Sequence, residues 1–95
     1  MNPLQIPKLE QYVNDFSKVL SDSEQRTLNE LLASHDRSTT EQVVVLLIPN
    51  REGNELIDIA LKVFNENQIG QRGKNNGLLL IIATEEKKIR LMTGK

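Results

Sequence analysis

The chain has 95 residues, of which 26% are charged and 38% are hydrophobic, and it contains no cysteine. This composition is typical of one small soluble globular domain, and it excludes disulfide scaffolds and thiolate metal sites. The 12 basic and 13 acidic residues give a net charge of -1, so the chain lacks the basic field that attracts nucleic acid. No apolar run reaches the roughly 18 residues that span a bilayer. We therefore expect no nucleic-acid binding, and no membrane contact by this segment.

The first regular element that the sequence predicts is a helix over residues 22–36. Before it, residues 12–20 carry scattered apolar side chains, and we interpret them as a packed loop or a short turn of helix. Ser21 and Glu24 form a capping-box pattern, in which each side chain bonds the backbone N–H of the other residue. Three leucines then follow at the spacing of one helical stripe: Leu28, Leu31 and Leu32.

Two runs without polar side chains predict the centre of a sheet. Residues 43–48 read VVVLLI and residues 78–83 read LLLIIA. Polar and apolar residues do not alternate in them, as they would in a strand with one solvent-exposed face. Strands of this kind are covered on both faces, as in the sheet of an α/β fold. A helical stripe over residues 55–67 lies between them, which makes the two strands a parallel pair. Ile89 and Leu91 then alternate with Arg90, which indicates an antiparallel strand nearer the sheet edge.

The predicted fold is a small three-layer α/β sandwich formed by residues 1–95 as a single domain. Its mixed sheet has a parallel central pair and an antiparallel hairpin strand, with helices on both faces. Since two helices are few for the two faces of such a sheet, we expect a further helix beyond Lys95.

Asp15 is the most conspicuous acidic residue, because it lies in an apolar stretch between Val13 and Phe16. One interpretation makes it a ligand for a hard cation or an acid–base group. The alternative is a turn or capping acid that accepts backbone N–H bonds. Glu85 and Glu86 either add carboxylates to such a cation site or form the solvated tip of the predicted hairpin.

Asn75, Asn76 and Gly77 come directly before the second apolar strand, where they form either a ligand-holding loop or a turn. A Walker A phosphate loop is excluded, because only two residues separate Gly70 from Gly73 and the segment joins a helix to a strand. Asn and Gly tolerate the positive φ angles of tight turns. The pattern therefore favours a turn.

The ordered set of these segments resembles the TPM domain family, whose members occur in thylakoid-lumen proteins linked to photosystem II repair and in bacterial envelope proteins. Three family patterns are matched: the V-x-D-x-x-x-x-L-S start by Val13, Asp15, Leu20 and Ser21, the I-G after the second helix by Ile69 and Gly70, and the N-N-G by residues 75–77. Two positions depart from the family, with Asn67 in place of a frequent aromatic residue and Glu86 in place of a frequent Asp. The family domain continues past the glycine matched by Gly94, so we expect a C-terminally incomplete copy.

The resemblance implies a compact α/β/α sandwich that is often preceded by a secretion signal and followed by a membrane anchor. It also implies an acid phosphatase activity of some relatives, with Ca²⁺ or Mg²⁺ as the cofactor. On that basis Asp15 is the candidate catalytic and metal-binding residue. The candidate binding residues are Asn75, Asn76, Gly77 and Glu86.

Two functions follow as expectations. The first is a non-catalytic binding or accessory module of a bacterial cell-envelope protein, supporting the assembly or maintenance of a protein complex. Such a module would be extracytoplasmic, monomeric and bound to protein partners. The alternative is a divalent-cation-dependent acid phosphatase of low activity. We favour the module, because chemistry requires several carboxylates around one metal and the sequence supplies one plausible buried acid.

Overall fold

The computed structural model describes residues 6–70 and 77–93. Its sheet has four strands in the order β1-β2-β3-β4, of which β1, β2 and β3 run parallel and β4 runs antiparallel to β3. This mixed α/β architecture confirms the predicted fold class. The elements in chain order are β1 (Val13–Asp15), α1 (Asp22–Thr39), β2 (Gln42–Ile48), α2 (Leu56–Glu66), β3 (Gly77–Ala83) and β4 (Lys88–Thr93).

The central parallel pair lies in the predicted position, with Val43 opposite Leu78 and Ile48 opposite Ala83. In β4, Ile89 and Leu91 point to one face of the sheet and Arg90 points to the other, as the alternation predicts. Both strands that were predicted from apolar runs are therefore present with their expected partners.

β1 corrects the interpretation of residues 12–20 as a packed loop or helical turn. Val13 to Asp15 form a strand that pairs with residues 45–47 of β2. Its outer edge is closed by α1: Asn29 accepts the Val13 N–H at 2.9 Å, and the Gln25 side-chain amide donates to the Val13 carbonyl at 3.0 Å. Three residues are too few to give a periodic signal, so the sequence alone does not reveal this strand.

The predicted capping box begins α1. The Ser21 hydroxyl accepts the Glu24 N–H at 3.1 Å, and the Glu24 carboxylate accepts the Ser21 N–H at 2.8 Å. The helix extends three residues beyond its predicted end and stops at Thr40, whose left-handed backbone has a φ of 62°. Among residues 6–70 and 77–93, neither helix has the length and hydropathy needed to cross a membrane.

The main core lies between α2 and one face of the sheet. Its fully buried side chains include Val63 of α2, Leu46 of β2, and Leu79 and Ile81 of β3. α1 packs against β1 and β2, makes no contact with α2 and buries none of its own residues fully. The two helices thus lie on opposite faces, and α1 covers only the β1–β2 half of its face.

Candidate functional site

The three parallel strands end at one edge of the sheet, which is where open α/β sheets bind their ligands. Asp15 lies at this carboxyl edge, at the end of β1. Its carboxylate accepts the Ser17 N–H at 3.1 Å and the Leu20 N–H at 2.8 Å. These two bonds fold the chain from β1 towards α1, which is the turn role that the sequence offers as the alternative to catalysis. The metal-binding role of Asp15 stays a prediction.

Hydroxyl groups connect Asp15 to the end of β3. The Thr84 hydroxyl donates to the Ser17 hydroxyl oxygen at 2.8 Å, and the Thr84 N–H donates to the Ile48 carbonyl at 2.9 Å. The ends of β1, β2 and β3 are therefore joined by direct bonds. No local pattern predicts this link, because Ser17 and Thr84 are 67 positions apart.

Glu86 lies at the same edge and forms an ion pair with Arg51. Arg51 Nε donates to Glu86 Oε1 at 2.8 Å, and the Arg51 backbone N–H donates to the same oxygen at 3.1 Å. The hydrogen bond from the Arg51 side chain lowers the pKa of the Glu86 carboxyl, and the same bond raises the pKa of the guanidinium. Because the Glu86 pKa is lowered, its stabilising contribution is present above the unfolded-state pKa and is lost as the pH falls through the folded-state value.

Asn50 completes the carboxyl edge. Its side-chain amide donates to Glu85 Oε1 at 3.3 Å, and its side-chain oxygen accepts the Glu52 N–H at 3.0 Å. Arg51 and Asn50 were absent from the predicted site residues, although the polar stretch directly after β2 points to this edge. Within residues 6–70 and 77–93, no three acidic, histidine or cysteine side chains group closely enough to hold a metal ion.

Gly77 lies at the opposite, amino edge of the sheet, where it pairs with Gln42. Asp15 is level with Leu47 of β2 and with Ile82 of β3. Gly77 precedes Ile82 by five positions, so it lies roughly 17 Å from the level of Asp15 along the strand direction. The predicted binding residues therefore do not converge: Glu86 shares the edge of Asp15, and Gly77 does not. Asn75 and Asn76 lie outside the described residues.

The reason for a glycine at position 77 also differs from the expected positive φ angle. A Cβ atom there would lie 2.8 Å from the Ile69 carbonyl oxygen and 2.9 Å from the Gly70 Cα atom. Backbone approaches of this kind leave no room for a side chain. The glycine is required by the close passage of residues 69–70, and among described glycines the positive φ angles belong to Gly53 and Gly70.

A second candidate site is the part of the sheet that α1 leaves uncovered. We call it the apolar half-face. Its exposed hydrophobic members are Ile89 and Leu91, at 65% and 56%. The β3 side chains beside them are half-buried, and no charged side chain points to this face from the paired positions. Its members are Leu78, Leu80 and Ile82 of β3 and Ile89, Leu91 and Thr93 of β4.

Comparisons with known proteins agree with the fold. The structure is similar to the solution NMR structure of the N-terminal domain of a protein from P. gingivalis, with a TM-score of 0.80 and 24% sequence identity. The alignment covers 96% of this chain and 65% of that one, so this chain spans less than two thirds of its length. A search of curated proteins found no match. The sequence model of the TPM domain matches residues 13–95, and the chain therefore belongs to the TPM domain family.

Proposed function

We propose that this chain is a non-catalytic binding or accessory module that supports the assembly or maintenance of a protein complex. The observation that carries the proposal is the apolar half-face. Ile89 is 65% exposed and Leu91 is 56% exposed, side by side on an edge strand. Contiguous apolar surface of this kind is typical of protein–protein contact sites.

The carboxyl edge of the sheet supports the same proposal, because its acidic side chains are engaged in internal bonds. The Asp15 carboxylate accepts hydrogen bonds from two backbone N–H groups, and the Glu86 carboxylate accepts one from the Arg51 side chain. Both carboxylates serve internal contacts, whereas a metal-assisted hydrolase directs several carboxylates to one cation. We therefore interpret the edge as a structural junction that joins the ends of three strands.

A divalent-cation-dependent acid phosphatase of low activity is the second candidate. One observation favours it: Asp15, Asn50, Glu85 and Glu86 all lie at the carboxyl edge, where ligands of α/β sheets bind. Ca²⁺ or Mg²⁺ would supply Lewis-acid polarisation of a phosphoryl oxygen, and the oxygens of these four side chains are of the type that such cations prefer.

Hydrolysis of p-nitrophenyl phosphate distinguishes the two candidates. We expect the purified chain to show no hydrolysis above buffer with either Ca²⁺ or Mg²⁺ present. Asp15→Asn is the matched variant, and thermal melting confirms that it is folded. Hydrolysis by the wild-type chain that is lost in Asp15→Asn would refute the module proposal and establish the phosphatase.

We also propose an extracytoplasmic location in the cell envelope, and the family resemblance supports it. The complete reading frame that contains this domain provides the test. A secretion signal upstream and a membrane helix downstream are the expected result, and a reading frame without any export signal would contradict it.

A further inference from the structure

The segment before β1 is held against the C-terminal end of α2 by one side chain. We call residues 6–9 the strap. The Asn67 side-chain oxygen accepts the Leu9 N–H at 2.8 Å, and the Asn67 side-chain nitrogen donates to the Pro7 carbonyl at 3.1 Å. The same nitrogen donates to the Val63 carbonyl of α2 at 3.1 Å, which fixes the orientation of the carboxamide. The strap is therefore bound through its backbone.

The bonding pattern imitates one residue of a parallel strand. In a parallel ladder, one residue donates to the carbonyl of residue i on its neighbour and accepts the N–H of residue i+2. Pro7 and Leu9 supply these two groups, and the Asn67 carboxamide supplies both partners. Proline also favours extended backbone in itself and in the residue before it. Asn67 thus recognises the main chain of an extended segment.

Two apolar side chains of the strap add selectivity to this backbone contact. Ile6 and Leu9 are half-buried and pack against the main core, whereas Lys8 is exposed. The strap therefore shows what kind of segment fits this groove at the end of α2. It is an extended segment with apolar side chains three positions apart, and the position of Lys8 accepts any residue that solvent tolerates.

The strap is held more loosely than the sheet. None of its four residues is fully buried, and a cavity of about 380 Å³ is lined by the strap and by residues 66–68. Segments with few buried contacts open locally while the rest of the fold stays intact. Opening of the strap uncovers the Asn67 carboxamide and the apolar surface beneath Ile6 and Leu9.

We propose that the strap occupies, in cis, a groove that binds an extended segment of a partner protein. The partner's segment has apolar side chains at positions i and i+3, and Asn67 bonds its carbonyl at i+1 and its N–H at i+3. The strap is then an autoinhibitory contact that the partner displaces. The inference goes beyond the proposed function, because this groove lies on the α2 face at the amino edge, where residues 69–70 pass Gly77. It involves neither the apolar half-face nor the carboxyl edge.

Peptide binding to a chain with a released strap tests the proposal. Leu9→Asp releases the strap, because it places a carboxylate against the core. A synthetic peptide of residues 4–10, LQIPKLE, should bind this variant in an NMR titration with a dissociation constant of about 1 mM or lower. The shifts should cluster at residues 63–69. The wild-type chain should bind the peptide at least about tenfold more weakly, because its own strap fills the groove.

Two controls isolate the groups that are recognised. The same peptide with the Leu9→Asp change should not bind. In the Leu9→Asp chain, Asn67→Ala should weaken peptide binding by at least about tenfold, because two hydrogen bonds to the peptide are lost. Asn65→Ala is the matched variant, since Asn65 is exposed in the last turn of α2 and its change should leave binding unaltered.

Hydrogen exchange of the wild-type chain supplies a test that needs no variant. The Leu9 amide should exchange by local opening, at least about tenfold faster than the Leu79 amide of β3 and at a rate that low urea concentrations leave unchanged. If circular dichroism shows that Leu9→Asp is unfolded, this measurement decides alone.

Three results would overturn the proposal: a folded Leu9→Asp chain that does not bind the peptide, an equal loss of binding in Asn65→Ala, or Leu9 exchange at the rate of global unfolding. None of them bears on the module proposal, which fails on Asp15-dependent hydrolysis or on a shielded half-face. The two failures are therefore distinguishable.

Discussion

The Asp15 carboxylate offers about four acceptor positions, and the backbone N–H groups of Ser17 and Leu20 occupy two of them. One carboxylate supplies at most two of the six to eight oxygen ligands that Ca²⁺ takes, so other groups at this edge would have to supply the rest. A cation at this edge would also need Glu86, and Glu86 is already bound by Arg51. At the scale of single residues, the acids of the carboxyl edge are thus explained by the bonds they make within the fold.

Gly77 gives the clearest residue-scale prediction. Gly77→Ala should lower the free energy of unfolding by about 1–3 kcal/mol, because its Cβ would meet backbone atoms that cannot rotate away. The nearest are the Ile69 carbonyl oxygen at 2.8 Å and the Gly70 nitrogen at 2.9 Å. Urea denaturation monitored by circular dichroism measures the change.

Gly53→Ala is the contrasting variant, since nothing lies within 4 Å of the Cβ position and only its φ of 79° is unfavourable for alanine. Its cost should be the about 1–2 kcal/mol of a left-handed backbone, with no rearrangement of β3. Unchanged stability and unchanged β3 amide shifts in Gly77→Ala would show that residues 69–70 do not pass as closely as the structure indicates.

At the scale of elements, β1 depends on α1. Asn29→Ala should lower the free energy of unfolding by about 1–2 kcal/mol, because the Val13 N–H loses its acceptor at a buried residue. Hydrogen exchange at the Val13 amide should accelerate in the same variant. The exchange rate isolates the Val13 bond, since the Asn29 side-chain amide also donates to Gln11 Oε1 and to the Gln25 carbonyl.

Glu30→Ala is the control, because Glu30 is the next residue of α1, is exposed, and also becomes alanine. Its Val13 amide should exchange at the wild-type rate. If the two variants exchange alike, or if Asn29→Ala leaves the Val13 amide protected, β1 is held by its pairing with β2 and not by α1.

The sequence predicts those elements whose structure is determined by their own residues or by close neighbours in the chain. The runs at residues 43–48 and 78–83 are apolar because they lie in the middle of the sheet, and Ser21 and Glu24 cap α1 through neighbouring atoms. β1 could not be predicted, since its edge is closed by side chains that lie 12 and 16 positions away. The Arg51–Glu86 pair spans 35 positions and leaves no local pattern.

The apolar half-face belongs to the scale of the whole molecule. The sequence of β3 predicts cover on both faces. Within residues 6–70 and 77–93, the α2 face is fully covered and the opposite face is partly covered. Leu79 and Ile81 are fully buried on the α2 face, whereas Leu80 and Ile82 are half-buried on the other side. A single sequence specifies that a strand will be covered but not which element covers it. The module proposal follows from this difference between the two faces.

Solvent paramagnetic relaxation of methyl groups tests the half-face most directly. With a neutral gadolinium chelate and a dilute sample of methyl-labelled protein, Ile89 and Leu91 should relax strongly, while Leu79 and Ile81 should be shielded. The exposed fractions of 65% and 56% against zero predict this contrast. Equal shielding of all four methyl groups would show that the half-face is covered, and it would contradict the module proposal, which depends on that exposed surface.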